Sequence, residues 1–317
     1  MQAQMSQVTA IRLDDDGPFQ HHRSNDSGLQ TVWFELTGKC QLNCGHCYAE
    51  SGPKGTHGIM TTADWLRLVD EAKSLDVRLI QLIGGEPTLH PGWVDIAGYA
   101  LKVGIRVEVY SNLVRIKSDW WDILRMPGMS LATSYYSPTP AEHNAITRRT
   151  SHNKTLRNIK RALELNVPLR VSVIGTHATQ QVQEAMRQLK EIGVQAVGLD
   201  HLRQVGRGVR DLTPSTAQLC GECGKSRCAI SPTGDVWPCV LARWGQTTMG
   251  SVRTASLGDI LVSANAIAIN YELQKVFEAR KQEKFCTPDN DCGPVKDNDC
   301  GPDCCPNTIH CKPDRGE

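Results

Sequence analysis

The sequence predicts an α/β fold: a partial (β/α)6 TIM-like barrel carrying a cysteine-rich, loop-rich C-terminal extension. Three observations carry this expectation. Six short apolar runs alternate with helical patterns between residues 31 and 200. Polar or glycine-rich residues follow most of the runs. The 13 cysteines are segregated, with three at 40–47, none at 48–219 and ten at 220–311. Alternating strands and helices imply right-handed crossovers and a parallel sheet, and six units fall short of a closed barrel of eight. The composition boundary divides the chain into a flexible lead-in (1–30), a core (31–210) and an extension (211–317).

The elements follow in order. TVWFELT (31–37) is an apolar strand running into the first cysteines. TTADWLRLVDEAKSLD sets Trp65, Leu68, Val69, Ala72 and Leu75 on one helical face. VRLIQLIGG is a strand, and GWVDIAGYALKVG a helix capped by Gly104. IRVEVYSN, DWWDILRM and SLATSYY read as strand, short helix and strand. SHNKTLRNIKRALELN aligns Leu156, Ile159 and Leu163, and PLRVSVIG is the fifth strand. TQQVQEAMRQLKEIG aligns Val182, Met186, Leu189 and Ile192 ahead of the cap Gly193, and VQAVGLD is the sixth strand.

Composition excludes several classes. The net charge of +1 over 317 residues, with no basic stripe, argues against nucleic acid. No apolar run approaches the roughly 20 residues of a membrane span. The N-terminus lacks the apolar centre of a signal peptide, so the expected location is cytoplasmic. There, cysteines serve metal binding or catalysis rather than disulfides.

In parallel α/β sheets ligands bind at the C-terminal strand ends. Cys40, Cys44 and Cys47, spaced C-x3-C-x2-C, follow the first strand. Gly84, Gly85, Glu86 and Pro87 end the second, Tyr110, Ser111 and Asn112 the third, and Thr133 to Tyr136 the fourth. HLRQVGRG (201–208) follows the sixth. A structural zinc takes four protein ligands. Three thiolates on a short loop instead suit three corners of a cubic four-iron cluster, whose fourth iron stays open; sulfur is the soft donor iron clusters favour. A zinc site completed by His46, or three unrelated thiols, are the other readings.

With these motifs the chain resembles the radical S-adenosylmethionine (SAM) superfamily over about residues 31–210. The resemblance implies that Cys40, Cys44 and Cys47 bind a [4Fe-4S] cluster whose open iron is chelated by SAM. It also implies that Tyr48 lies near the adenine. Gly84, Gly85, Glu86 and Pro87 would contact the SAM amino group, with Glu86 accepting from the ammonium. Ser111 and Asn112 would meet the ribose, and Ser134 and Arg149 would make further polar contacts. The implied reaction is reductive SAM cleavage to methionine and a 5′-deoxyadenosyl radical, which abstracts a substrate hydrogen. The catalytic residue beyond these is left unknown.

The tail places Cys220, Cys223, Cys228 and Cys239 early, and Cys286, Cys292, Cys300, Cys304, Cys305 and Cys311 late. Cys223-x10-Gly234-x4-Cys239 resembles the opening of a SPASM extension, which implies one or two auxiliary [4Fe-4S] clusters. Zinc is the other metal the tail could hold. SPTGDVWPC reads as a hairpin turning at Thr233, Gly234 and Asp235, and MGSVRTASLGDIL as a strand and helix. The late spacing departs from the usual pattern, so the ligand set stays open. The resemblance implies a maturase that crosslinks or oxidises a ribosomally made peptide. A radical epimerase or dehydrogenase acting on a sugar, aminoglycoside or nucleoside is the alternative, and a metal-binding scaffold the non-enzymatic one. Expected partners are the peptide or small-molecule substrate, a reductase or flavodoxin/ferredoxin electron donor, and a separate leader-peptide recognition protein.

Overall fold

The computed structural model describes residues 28–210, 213–244 and 247–283. The greater part of the lead-in lies outside the described residues, as do Cys286, Cys292, Cys300, Cys304, Cys305 and Cys311.

The six expected core strands form. They are β1 (Thr31–Thr37), β2 (Leu79–Gly84), β3 (Arg106–Tyr110), β4 (Met129–Tyr135), β5 (Leu169–Gly175) and β6 (Ala196–His201). All pair in parallel with their sequence neighbours, and the sheet does not close. The helices between them are α1 (Thr62–Ser74), α2 (Trp93–Lys102), α3 (Trp120–Leu124), α4 (Pro140–Thr147), α5 (His152–Glu164) and α6 (Val182–Glu191). α1 starts at a capping box, in which Thr61 and Asp64 satisfy each other's backbone N–H groups. It buries Trp65, Leu68, Val69 and Ala72 as expected, whereas Leu75 ends the helix half-buried. Trp65 packs on Phe34 of β1 with ring centroids 5.1 Å apart. α4 was not foreseen; its start at Pro140 sits in a polar stretch without an apolar stripe.

Strand alternation sorts the side chains. Val32, Phe34 and Leu36 of β1, Ile80 and Leu82 of β2, and Val107 and Val109 of β3 build the main core under the helices. Their neighbours Trp33, Glu35, Gln81, Glu108 and Tyr110 therefore face the inside of the curved sheet.

The tail does not stand apart as a separate hairpin. β7 (Arg227–Ile230) pairs in parallel with β1, continuing the core sheet on the side away from β2. β8 (Asp235–Trp237) and β9 (Gly250–Ser251) follow antiparallel, giving a nine-stranded order β6-β5-β4-β3-β2-β1-β7-β8-β9. The expected hairpin turn is present, with Gly234 at φ +89°. α7 (Leu257–Leu261) lies near α1, and α8 (Ala264–Glu283) runs on from it. α8 was missed because its apolar residues form no clean stripe: Leu273 and Phe277 are buried while Ile267 and Tyr271 are exposed.

Candidate active site

The cysteine loop leaves β1 and folds back on itself. Cys40 N–H donates to Gly52 O at 3.0 Å, and Lys39 bridges Gly52 in parallel fashion. Cys40 is buried, and Cys44 and Cys47 are half-buried. Cys40 Sγ accepts from Leu42 N–H at 3.4 Å and from Asn112 Nδ2 at 3.6 Å. Burial pushes the Cys40 and Cys44 thiols up to about 12. Thiolates here therefore need a strongly positive centre beside them, which bound iron supplies. Among the described residues, no three of His, Cys, Asp or Glu gather closely enough to hold one metal ion. His46 meets Tyr136, Nε2 to hydroxyl at 3.2 Å, and its burial lowers its pKa to about 4.

The segment after β6 clamps this loop. Arg207 donates through its Nε to Cys44 O at 2.9 Å and through Nη2 to Ser51 O at 2.6 Å. Its own N–H donates to Cys47 O at 3.0 Å. Gly206, at φ +56°, packs so tightly that a Cβ would sit 2.2 Å from Tyr48 O. HLRQVGRG was legible as a segment at the rim after the sixth strand, but the part played by Arg207 was not.

The loop caps a cavity of about 300 Å³ inside the curved sheet. Trp33, Gln81 and Tyr110 of its lining belong to a polar row running across the strands. Trp33 Nε1 donates to Gln81 Oε1, and Gln81 Nε2 to Glu108 Oε1 at 2.8 Å. Arg170 grips both oxygens of Glu108, with Nε at 2.7 Å from Oε2 and Nη2 at 2.9 Å from Oε1. The Arg170 guanidinium lies 5.4 Å from the centre of the Tyr110 ring, and the Tyr110 hydroxyl meets Ser134 Oγ at 3.0 Å. A polar row this complete costs little to bury, because every partner is satisfied, and it fixes this lining rigidly.

Most of the residues expected around SAM gather here. Tyr48, Gly84, Gly85, Ser111, Asn112 and Ser134 line the cavity with the three cysteines. Three expectations change. Glu86 does not line it: Oε1 accepts from Thr88 N–H and Oγ1 at 3.2 and 2.7 Å, and Oε2 from Asn112 N–H at 2.8 Å. Its carboxylate is saturated within the protein, and burial raises its pKa. Pro87 is likewise buried, opening a single 3-10 turn that Glu86 caps. Arg149 is exposed and lines an outer cleft against the cysteine loop, because α4 ends in a left-handed turn at Arg148. The two glycines also serve the backbone. A Cβ on Gly84 would lie 2.4 Å from Thr37 O, and one on Gly85 2.4 Å from Lys39 O. They let the end of β2 press against the root of the cysteine loop.

Tyr48 carries a feature absent from the sequence reading. Its hydroxyl bonds to Glu35, whose carboxylate is ion-paired with Arg243 of the tail. The Arg243 guanidinium lies 5.6 Å from the Tyr48 ring centre. Val240 and Leu241 of the same segment complete the cavity wall.

The tail thiols divide. Cys223 Sγ lies 2.9 Å from Cys239 Sγ, and Cys220 hydrogen-bonds to Cys223. That bond, with the nearby Arg227 charge, draws the Cys220 thiol down to about 6. Cys223 and Cys239 are buried in a small second core with Leu273 and Phe277, and Cys220 meets them from the exposed side. Cys228 does not join them. Alternation along β7 turns it into the main core beside Ile230, and burial alone pushes its thiol up to about 12. Its thiol packs within the main core, apart from Cys220, Cys223 and Cys239.

An open parallel sheet, a three-thiol loop over its C-terminal edge and a converging second set of thiols define an iron–sulfur enzyme architecture. The chain matches the radical SAM superfamily over residues 34–189 and an iron–sulfur cluster-binding domain, SPASM, over 220–293. It belongs to the radical SAM superfamily, with a SPASM-type C-terminal domain. Among its relatives is the AdoMet-dependent heme synthase of Methanosarcina barkeri, 26% identical over 56% of this chain and 52% of the relative. Another is the subtilosin biosynthesis protein AlbA of Bacillus subtilis, 24% identical over 66% of this chain and 54% of AlbA. The mycofactocin maturase MftC of Mycobacterium tuberculosis is 26% identical over 74% of this chain and 70% of MftC. The chain thus spans little more than half the length of the first two. In fold it is similar to Streptococcus suis SuiB bound to S-adenosylmethionine, with TM-score 0.63 and 15% identity over 75% of this chain and 66% of SuiB. No helix among the described residues is long and apolar enough to cross a membrane.

Proposed function

We propose that this chain is a radical SAM enzyme that modifies a ribosomally made peptide. The observation that carries the reading is the three-thiol loop closing over a cavity lined in part by a fixed polar row. In this reading Cys40, Cys44 and Cys47 hold a [4Fe-4S] cluster, with Gly84, Gly85, Ser111, Asn112, Ser134 and Tyr48 around SAM. When bound, cluster and SAM supply reductive cleavage and a 5′-deoxyadenosyl radical that takes a substrate hydrogen. The protein's own task is orientation and dryness. Arg207 and Gly206 hold the loop at one height, and the Trp33–Gln81–Glu108–Arg170 row keeps that part of the lining from moving.

Residues 31–210 form the SAM-binding core in this reading, and 211–317 the auxiliary part. Cys220, Cys223 and Cys239 hold an auxiliary cluster with one of the later cysteines. The peptide assignment is supported by the relatives named as maturases or as a bacteriocin biosynthesis protein. The enzyme would work in the cytoplasm with a one-electron donor and a separate leader-recognition protein.

The test is anaerobic reconstitution with iron, sulfide, SAM and dithionite, with 5′-deoxyadenosine as the product measured. Replacing Cys40, Cys44 and Cys47 together by Ala should abolish it; persistence would end the radical reading. Host extract should stimulate formation, and protease treatment of the extract should remove the stimulation. Stimulation that survives protease would turn the assignment to a sugar or nucleoside.

A further inference from the structure

Against the cysteine loop, lined by Asn43, Glu50 and Gly52, lies an open cleft of about 530 Å³. Lys54, Arg149 and Arg207 line it, with Glu50 as the single acidic residue among the described residues that do so. Lys39 adjoins it through its bridge to Gly52, and the Arg148 guanidinium rests over Gly45 within the loop. Lys39, Lys54, Arg148 and Arg149 are all exposed, and none is ion-paired among the described residues. A chain of net charge +1 has thus concentrated uncompensated cations at one place.

The position of that place matters more than its charge. Arg207 lines both the inner cavity and the outer cleft. It donates to the carbonyl of Cys44, whose thiol faces the cavity. Cleft and cavity thus meet at the cysteine loop, where Asn43 lines the one and Cys44 the other, and Arg207 braces the backbone between them.

We propose that this basic cleft is the docking site of an acidic one-electron carrier protein. The inference rests on the radical SAM reading above. Complementary charge would steer the carrier onto the cysteine loop and raise its rate of encounter. The carrier would be oxidised by one equivalent as it gives up one electron, and that electron would reduce the [4Fe-4S] centre that Cys40, Cys44 and Cys47 would hold. No bond is made or broken in this step. Arg207 holds the loop, while Lys54 and Arg149 attract the partner.

The experiment uses the reconstituted full chain and a chemically reduced acidic flavodoxin as probe. Binding is measured by titration calorimetry, and cluster reduction by stopped-flow absorbance, at several salt concentrations. Lys54→Glu combined with Arg149→Glu should weaken binding and slow flavodoxin-driven reduction about tenfold or more at low salt. Glu50→Lys should speed it. Reduction by dithionite, which needs no docking, should be unchanged in both variants. Unchanged flavodoxin rates in the double charge reversal would overturn the proposal. So would an equal loss with dithionite, which would mean that the charges act on the loop. Loss of peptide binding with flavodoxin reduction intact would reassign the cleft to an anionic peptide. Absence of 5′-deoxyadenosine from the wild type with dithionite would instead defeat the activity itself, and so is separable from the docking result.

Discussion

The guanidinium of Arg243 pairs with the carboxylate of Glu35, a contact that crosses from the tail to the first strand of the core. Glu35 is buried and Arg243 half-buried, and the Tyr48 hydroxyl joins them. A charge removed from such a pair leaves its partner stranded. Arg243→Met should cost about 3–5 kcal/mol of stability in urea unfolding, and replacing both residues by apolar ones should recover much of it. A loss below about 1 kcal/mol would mean that the pair is solvated.

Gly206 predicts a local failure rather than a global one. An Ala there meets Tyr48 O and adopts left-handed backbone, which alone costs roughly 1–2 kcal/mol. Gly206→Ala should keep the far-UV spectrum but lower iron bound after reconstitution, since the loop must move. Full iron content would show that the loop has slack.

The divided tail thiols give a stoichiometric test. Cys223→Ala should reduce iron per chain by an auxiliary cluster's share. Cys228→Ala should leave iron unchanged and cost about 1 kcal/mol by cavity formation. Equal iron loss in both would return Cys228 to the ligand set.

Glu86 should behave as a brace. Glu86→Ala strands the N–H of Asn112 and the buried groups of Thr88, so a loss of roughly 2–4 kcal/mol is expected. Glu86→Gln keeps one acceptor oxygen but sets a donor amide against the other N–H, so it should lose part of that stability while leaving the SAM dissociation constant within about threefold. A hundredfold weakening with unchanged stability would restore a direct role toward the ammonium.

His143 gives a pH signature. It is buried against Tyr135, Tyr136 and His152, and burial lowers its pKa to about 3. Unfolded, it takes a proton near pH 6.5, so the unfolded state binds more protons between about pH 6.5 and 3. Stability therefore rises with pH through that window and is lost on acidification. His143→Gln should flatten the slope of unfolding free energy against pH there, and an unaltered slope would assign the acid lability elsewhere.

The sequence made the barrel strands legible because Val32, Phe34 and Leu36 alternate with polar neighbours, and the cysteine loop legible because its spacing is short and local. Other features depend on residues distant along the chain. Nothing near Glu35 announces Arg243, and nothing near Cys44 announces Arg207. Glu86 shows why a motif fixes place better than role. Its position at the rim was correct, but only the folded chain reveals that Thr88 and Asn112 already use its oxygens. α8 escaped because a long helix with exposed Ile267 and Tyr271 lacks the periodic stripe that marks burial.

The parallel pairing of β7 with β1 has a consequence for how this protein could have diversified. β1 is sandwiched between β2 and β7, so the strand that carries the cysteine loop is hydrogen-bonded on one side by the C-terminal domain. Cutting the chain before β7 would strip that side bare and leave a long apolar edge open to self-association. The C-terminal domain is therefore not an interchangeable cartridge. Recombination between relatives would have to import β7 together with a matching β1 and a partner for Glu35, so the two domains are expected to have travelled as a single unit of inheritance.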